Sequence, residues 1–267
     1  MGNLLKFEWK KLLRSKSFYI CCAVLVALIL IAGFTLHLIG SYVLESGALS
    51  ADMTGAEMDL AMNVFDMNGI SFMVRSLSIG NITIILAIFV SLFTCTDYAN
   101  GTMKHIISRG YHRTTSALSK YITVLFAGLI MVILSYATAF ILGSVLWGMG
   151  ETISMDLLIT FLVQLLGVFA YISIYFMIAT LMRKIGGTIA VCIIVPNLVI
   201  SLLLSLIDVL TKEKAFRLSD YWIGSVFGRV SAGTPTLDVL AHSAICLAGY
   251  VIVFMGISLL ISRRQEF

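Results

Sequence analysis

Residues 121–146 read YITVLFAGLIMVILSYATAFILGSVL, an apolar stretch that decides the fold of this chain. The stretch contains no Asp, Glu, Lys or Arg, and a helix needs about 20 apolar residues to cross the hydrocarbon core of a bilayer. Comparable stretches occur at residues 18–40, 80–96, 157–182, 185–207 and 239–261. None of them alternates apolar and polar residues, so each predicts a transmembrane helix rather than a strand of a membrane barrel.

The composition agrees with six predicted spans. The chain has 267 residues, of which 60% are hydrophobic and 12% are charged. Such values are typical of a polytopic membrane protein and exclude an ordinary soluble domain. We therefore expect an all-α polytopic membrane protein whose six transmembrane helices form a single transmembrane domain over residues 1–267.

The basic residues predict the orientation of this domain, because Lys and Arg near the ends of spans are retained on the cytoplasmic side. With the N-terminus inside, both termini are cytoplasmic and residues 41–78 and 208–238 are extracellular. The net charge of +4 is then a topology signal and gives no reason to expect nucleic acid as a partner. Eighteen Lys and Arg occur, and all lie inside except Arg75, Lys212, Lys214, Arg217 and Arg229.

Residues 1–17 mix lysines with apolar side chains. This pattern predicts a short helix lying in the inner headgroup layer. A second interpretation is a charged anchor that holds the orientation of the first span. The two interpretations are compatible, since one helix can do both.

Two of the spans contain polar or helix-breaking residues of interest. Gln164, Tyr171 and Tyr175 lie near one face of the fourth span, where they could line a passage or hydrogen-bond to neighbouring helices; we favour packing. Pro196 removes a backbone donor midway along the fifth span, and Asn197 follows it. A kink or local unwinding is expected there, which makes this span the best candidate for a moving element.

Motifs for chemistry are missing from the sequence. No GxxxxGK[ST] phosphate loop occurs, and neither does an HExxH pair or a GxSxG motif. No acidic or basic residue lies deep in a predicted span, which argues against ion coupling. The five cysteines lack metal-ligand spacing and are expected to be small buried side chains. We expect no catalytic residue, no metal and no cofactor site, and an energy source on another polypeptide.

The segment between the second and third spans, residues 97–117, is basic and interrupted by glycines; its first part reads DYANGTMKHIISRGYHR. Asp97 is expected to cap a short helix, and Gly101 to permit a sharp turn. Lys104, Arg109 and Arg113 are placed to reach acidic partners. The alternative interpretation is an ordinary positive-inside loop.

The whole chain resembles the permease subunits of type-2 ATP-binding-cassette exporters, and is closest to the small bacterial permeases that export peptides or confer resistance to bacitracin, lantibiotics or phenol-soluble modulins. The resemblance rests on the basic N-terminal helix, the order of the spans and the motif between spans two and three. It implies that this segment is a coupling helix on a cytoplasmic ATPase. The implied coupling residues are Asp97, Tyr98, Gly101, Thr102, Lys104, Arg109, Gly110 and Arg113.

The resemblance also implies the partners. A separate ATPase would hold ATP and Mg, and a second permease, either another copy or a close paralogue, would complete the unit in the bacterial plasma membrane. The leading hypothesis is a permease that moves amphipathic or antimicrobial peptides out of the membrane or cytoplasm. The alternative is a membrane-embedded sensor or immunity scaffold without transport, for which the acidic, methionine-rich residues 41–78 are the best support. An ion-driven carrier is a third possibility.

Overall fold

A computed structural model gives the fold. It describes residues 2–46, 68–79, 81–102, 108, 110–150, 155–211, 217–231 and 236–264. This part of the chain is almost entirely helical and contains no β-strand. The helices are α1 (Gly2–Arg14), α2 (Lys16–Ser46), α3 (Gly69–Ile79), α4 (Ile82–Ala99), α5 (Arg113–Trp147), α6 (Met155–Met182), α7 (Ile185–Ile194), α8 (Ile200–Thr211), α9 (Ile223–Ser231) and α10 (Leu237–Arg264).

The predicted set of six membrane-length helices is confirmed. Among the described residues, six helices are long and apolar enough to span a membrane: Lys16–Tyr42, Ile82–Ala99, Arg113–Trp147, Met155–Met182, Ile185–Leu210 and Leu237–Arg263. The third begins at Arg113, well before the apolar stretch that starts at Tyr121. Backbone hydrogen bonds continue an α-helix past the edge of the hydrocarbon, so hydropathy alone places its start too late.

Helix α6 is the centre of the bundle. It packs against α4, α5, α7, α9 and α10, and most of its second half is buried, including Ile172, Tyr175 and Phe176. In contrast, α8 and α10 leave large apolar side chains exposed, such as Leu202 and Ile252. Exposed apolar surface of this kind is expected where helices face lipid or another membrane helix.

Helices α3 and α5 approach closely because small residues line their contact. Ser135, Ala139 and Gly143, at four-residue spacing on α5, are all buried. A Cβ atom added at Gly143 would lie 2.9 Å from the Cα of Gly69 on α3. The segment predicted as extracellular, residues 41–78, is helical at both ends. Of its five methionines, Met73 lies in α3, and Met53, Met58, Met62 and Met67 lie outside the described residues.

The fifth span departs from α-helical geometry, as its proline predicted. A five-residue π-helical turn, Val195–Val199, joins α7 to α8. Asn197 Nδ2 donates to the carbonyl oxygen of Ile193 at 3.1 Å, and Trp222 Nε1 donates to that of Pro196, also at 3.1 Å. Side chains thus satisfy part of the backbone that the turn exposes. That this turn moves stays a prediction.

Long-range contacts define two faces of the bundle. On one, which we call the basic face, the end of α1 contacts the end of α4 through Lys11 and Asp97, and Ser262 at the end of α10 lies 3.5 Å from the carbonyl oxygen of Arg113 at the start of α5. On the other, Gly69 N donates to Gly148 O at 3.0 Å, joining the start of α3 to the end of α5. Both ends of the described chain therefore lie on the basic face.

Candidate functional site

Four charged residues form a cluster at the basic face, which we call the basic-face cluster: Glu8, Lys11, Asp97 and Lys120. Asp97, in the last turn of α4, forms ion pairs with Lys11 of α1 and Lys120 of α5. The side chains of Asp97 and Lys120 are only 3% and 1% exposed, whereas that of Lys11 is 27% exposed. Three helices distant in sequence are thus joined at one buried carboxylate.

Glu8 is the most confined member of the cluster. It is 0% exposed, and neither of its carboxylate oxygens has a hydrogen-bond partner. Burial raises the pKa of Glu8 above its usual value, although the nearby charges of Lys120 and Lys11 act in the opposite direction. The fold therefore raises the pH at which this side chain gives up its proton.

Local sequence explains how Glu8 comes to be buried. Leu4, Glu8 and Leu12 recur at four-residue spacing, so they share one face of α1, and all three are buried. This face packs on α5, where Lys120 lies. The aromatic ring of Tyr98 completes the site: the Lys120 ammonium and the Arg183 guanidinium each lie 5.7 Å from its centroid, within the range of cation–π attraction.

Two sequence-based expectations need correction here. Asp97 does not cap a new helix, because α4 continues to Ala99 and the Asp97 carboxylate is committed to two lysines. The segment predicted between the second and third spans does not extend to residue 117, because α5 begins at Arg113, and Lys120 is buried within this helix. The connection between α4 and α5 is consequently shorter than residues 97–117. Asp97 is too buried in this structure to serve as a contact for another protein.

The connecting segment has the turn predicted at Gly101 and a second one at Gly110. Gly101 and Gly110 have φ values of +67° and +83°, a left-handed conformation that glycine adopts readily. Thr102, half-buried, lies directly after the first turn. Lys104 and Arg109 lie outside the described residues.

A basic recess of about 520 Å³ lies beside this connection. Gly110, Tyr111, His112, Arg113 and Thr114 line it from the start of α5, and Arg263 lines it from the end of α10. Two arginines and a histidine thus line one recess, and none of its described lining residues is acidic. Such a recess suits a carboxylate-rich protein surface.

The polar residues of the fourth and fifth spans divide into two groups. Gln164 is buried, accepts a hydrogen bond from Tyr136 Oη at 2.6 Å and donates to the carbonyl oxygen of Val74 at 2.9 Å. Tyr175 is also buried, with Asn197 Nδ2 3.5 Å from its hydroxyl. For Gln164, packing is the interpretation that the geometry favours.

Tyr171 and Asn197 lie in a different environment. Both line a cleft of about 350 Å³ together with Asn81, Ser201 and Ser225. Asn81, directly before α4, has a φ of 49°, a left-handed conformation. The described lining is uncharged, and Gln164, Tyr175 and Pro196 are not part of it. Tyr171 lies near the middle of α6 and Asn197 near the middle of the fifth span, so the cleft reaches into the middle of the bundle.

The basic-face cluster was missed by sequence reasoning, although one signal was present. Glu8 falls on the apolar face of an amphipathic helix, where an acid is unexpected unless it has a partner. Among the described residues, those of the basic-face cluster included, no three His, Cys, Asp or Glu side chains lie close enough to hold a metal ion.

No curated protein matches the chain. Residues 53–267 match the model of the family described as "Protein of unknown function (DUF2705)". This match includes α3 to α10 and therefore Asp97, Lys120 and the basic recess, but not α1. Because it covers well over half of the chain, the protein belongs to the DUF2705 family.

Proposed function

We propose that this chain is the membrane-spanning permease subunit of an ATP-driven exporter, which moves amphipathic or antimicrobial peptides out of the bacterial membrane or cytoplasm. A cytoplasmic ATPase of the ATP-binding-cassette type would supply the energy, and the fold would be that of a type-2 exporter permease. The basic face would then be cytoplasmic.

The observation that supports this proposal best is the basic recess. It combines the connection between α4 and α5 with the end of α10, so one docked protein would touch two spans at once. Arg113 and Arg263 give it the charge to attract an acidic surface. An ordinary topology loop needs positive charge but has no need of a shaped recess shared with another helix.

The basic-face cluster gives the recess a mechanical connection to the rest of the bundle. Asp97 lies where α4 leaves the membrane and is paired with α1 and α5. A displacement of the connecting segment would therefore be passed to three helices instead of being absorbed in a loop. In this proposal Asp97 and Lys120 are positioning residues, and contact with the ATPase falls to Arg113, Arg263, Lys104 and Arg109.

A second permease, as another copy or a close paralogue, is part of the proposal. Helices α8 and α10 expose broad apolar faces, and on α10 the exposed Ile252 lies between Gly249 and Gly256, at which an added Cβ would meet nothing within 4 Å. Small residues on an open face permit close approach of another helix. The uncharged cleft at Tyr171 and Asn197 is the candidate path for the peptide.

The test is co-purification of the tagged full-length chain from its native membrane in mild detergent, with measurement of ATP hydrolysis in the eluate. We expect an ATPase in near-equal amount, lost from the double variant Arg113→Glu, Arg263→Glu. The control is Lys16→Glu, Lys184→Glu, which makes the same charge change at exposed residues of the same face outside the recess. Thermal stability of each variant shows whether it is folded.

Two results would overturn the proposal. The first is a wild-type chain that elutes alone and without ATP hydrolysis, because the proposal requires a bound ATPase. If that chain still binds a peptide antibiotic, the sensor or immunity scaffold becomes the better hypothesis. Wild-type ATPase binding and transport by the Arg113→Glu, Arg263→Glu variant would show that the recess is not the coupling surface.

A further inference from the structure

An open groove separates the outer side of α1 from α5, and neither the basic-face cluster nor the basic recess uses it. The groove has a volume of about 780 Å³, within the range of about 300–1,000 Å³ that is typical of ligand clefts. Its floor is formed by Trp9 and Phe126, whose rings meet edge to face at 5.5 Å. Most of its accessible lining is apolar, with contributions from Leu5 and Phe7.

Two lysines give the groove a positive rim. Lys6 and Lys10, one helical turn apart, are exposed and line it. Neither forms an ion pair with an acid in the described part of the chain. The one acid of α1, Glu8, is buried on the opposite side of the helix. The positive charge is therefore available to a ligand.

The groove is oriented for an amphipathic ligand. Phe126 lies six residues beyond Lys120 along α5, so it is about 9 Å deeper from the basic face at 1.5 Å per residue. Phe126 is 44% exposed, and it belongs to the apolar stretch of residues 121–146. A ligand with its head at Lys6 and Lys10 would thus lay its apolar part along Trp9 and Phe126 into the hydrocarbon.

We propose that this groove is a binding site for an anionic phospholipid of the leaflet at the basic face. The two lysines match the negative charge of the headgroup, and the aromatic floor matches an acyl chain. A free phosphate would leave the floor uncovered, and a zwitterionic lipid would leave the lysines without a net opposite charge. The site does not depend on transport, so its test is separate from that of the proposed function.

The probe is phosphatidylglycerol, titrated against phosphatidylcholine into the purified full-length chain in detergent, with retained lipid counted by native mass spectrometry. Each lysine near a membrane surface adds electrostatic attraction to anionic lipids. Removing two lysines is therefore expected to weaken the binding of an anionic lipid by about thirtyfold. We expect this loss in Lys6→Gln, Lys10→Gln. The control Lys16→Gln, Lys184→Gln removes the same charge from exposed residues outside the groove and is expected to retain the lipid.

Location is tested by a photoreactive phosphatidylglycerol with its label on the acyl chain. Labelling of the peptides that contain Trp9 and Phe126, lost in Lys6→Gln, Lys10→Gln, is the expected result. Equal retention of the two lipids by the wild type, or equal loss in the test and control variants, would overturn the proposal. So would a change from dimer to monomer in Lys6→Gln, Lys10→Gln with lipid retention unaltered, since the groove would then be occupied by a second copy.

Discussion

Removing the charge of Asp97 is the sharpest test of the basic-face cluster. The substitution Asp97→Asn keeps the shape of the side chain but leaves Lys120, which is 1% exposed, facing Lys11 with Glu8 as the nearest acid. Breaking a buried ion pair by changing one partner destabilises a protein by about 3–5 kcal/mol. For a chain of this size each kcal/mol corresponds to about 2–4 °C in melting temperature, which predicts a decrease of roughly 6–20 °C.

The chain offers its own reporters for this measurement. Cys21, Cys95 and Cys192 are free and buried, so a thiol-reactive dye gains access to them as the purified protein unfolds on heating. Cys22 and Cys246 are partly exposed and set the baseline. The dye therefore gives a melting temperature for each variant in the same detergent.

The matched control is a double-mutant cycle with Lys120→Met. If Asp97 and Lys120 act as a pair, Asp97→Asn, Lys120→Met is destabilised by less than the sum of the two single variants, by about 0.5–3 kcal/mol. The double variant removes both members of the most buried pair and leaves Lys11, which is 27% exposed and therefore partly solvated, together with Glu8. A decrease of less than about 1 kcal/mol for Asp97→Asn, or strict additivity in the cycle, would refute the reasoning.

Three further predictions use the same dye measurement. Because burial raises the pKa of Glu8, its protonation stabilises the fold at acidic pH, and this stability is lost as the pH rises through the raised pKa. Glu8→Gln is expected to abolish this pH dependence of the melting temperature. An unchanged dependence in Glu8→Gln would contradict the assignment of the raised pKa to Glu8. Gly143→Ala is expected to cost about 1–3 kcal/mol through its contact with α3, whereas Gly186→Ala, whose Cβ would meet no described atom within 4 Å, is expected to cost nothing measurable; equal effects would rule out the close contact. Tyr136→Phe removes the hydrogen bond to Gln164 and is expected to cost about 0.6 kcal/mol, and at most about 1.7; the exposed Tyr42→Phe is the control, and indistinguishable melting curves would argue against that bond.

The six spans could be predicted from the sequence because the bilayer imposes a strong rule: a helix that crosses it must be apolar over about 20 residues. The distortion of the fifth span at Pro196 was predictable as well, since the missing backbone donor acts on its own helix. The turn at Gly101 is a third example, because glycine adopts the required backbone conformation wherever it stands. In each case the residue and its consequence are close together in the chain.

The basic-face cluster could not be predicted in the same way. Lys11 and Asp97 are 86 residues apart, and nothing near either residue specifies the other. Lys120 and Asp97 each lie beside the end of an apolar stretch, where a charged residue is ordinarily a topology signal. Gln164 likewise shows the same sequence pattern whether it lines a passage or, as here, holds α5 and α6 together. Long-range pairing depends on how the helices pack, which hydropathy does not encode.

The order of the charged residues along the chain has a consequence for how the protein is made. Ribosomes deliver Lys11 first, then Asp97, then Lys120, and N-terminal parts of a chain start to fold first. Lys11 is therefore synthesised before Asp97, and Asp97 can form its ion pair with Lys11 first. Lys120 is added last, when the carboxylate of Asp97 is already present. A nascent chain that stops before α5 would leave Asp97 with Lys11 as its one lysine partner, so the basic-face cluster is complete only after α5 has been synthesised.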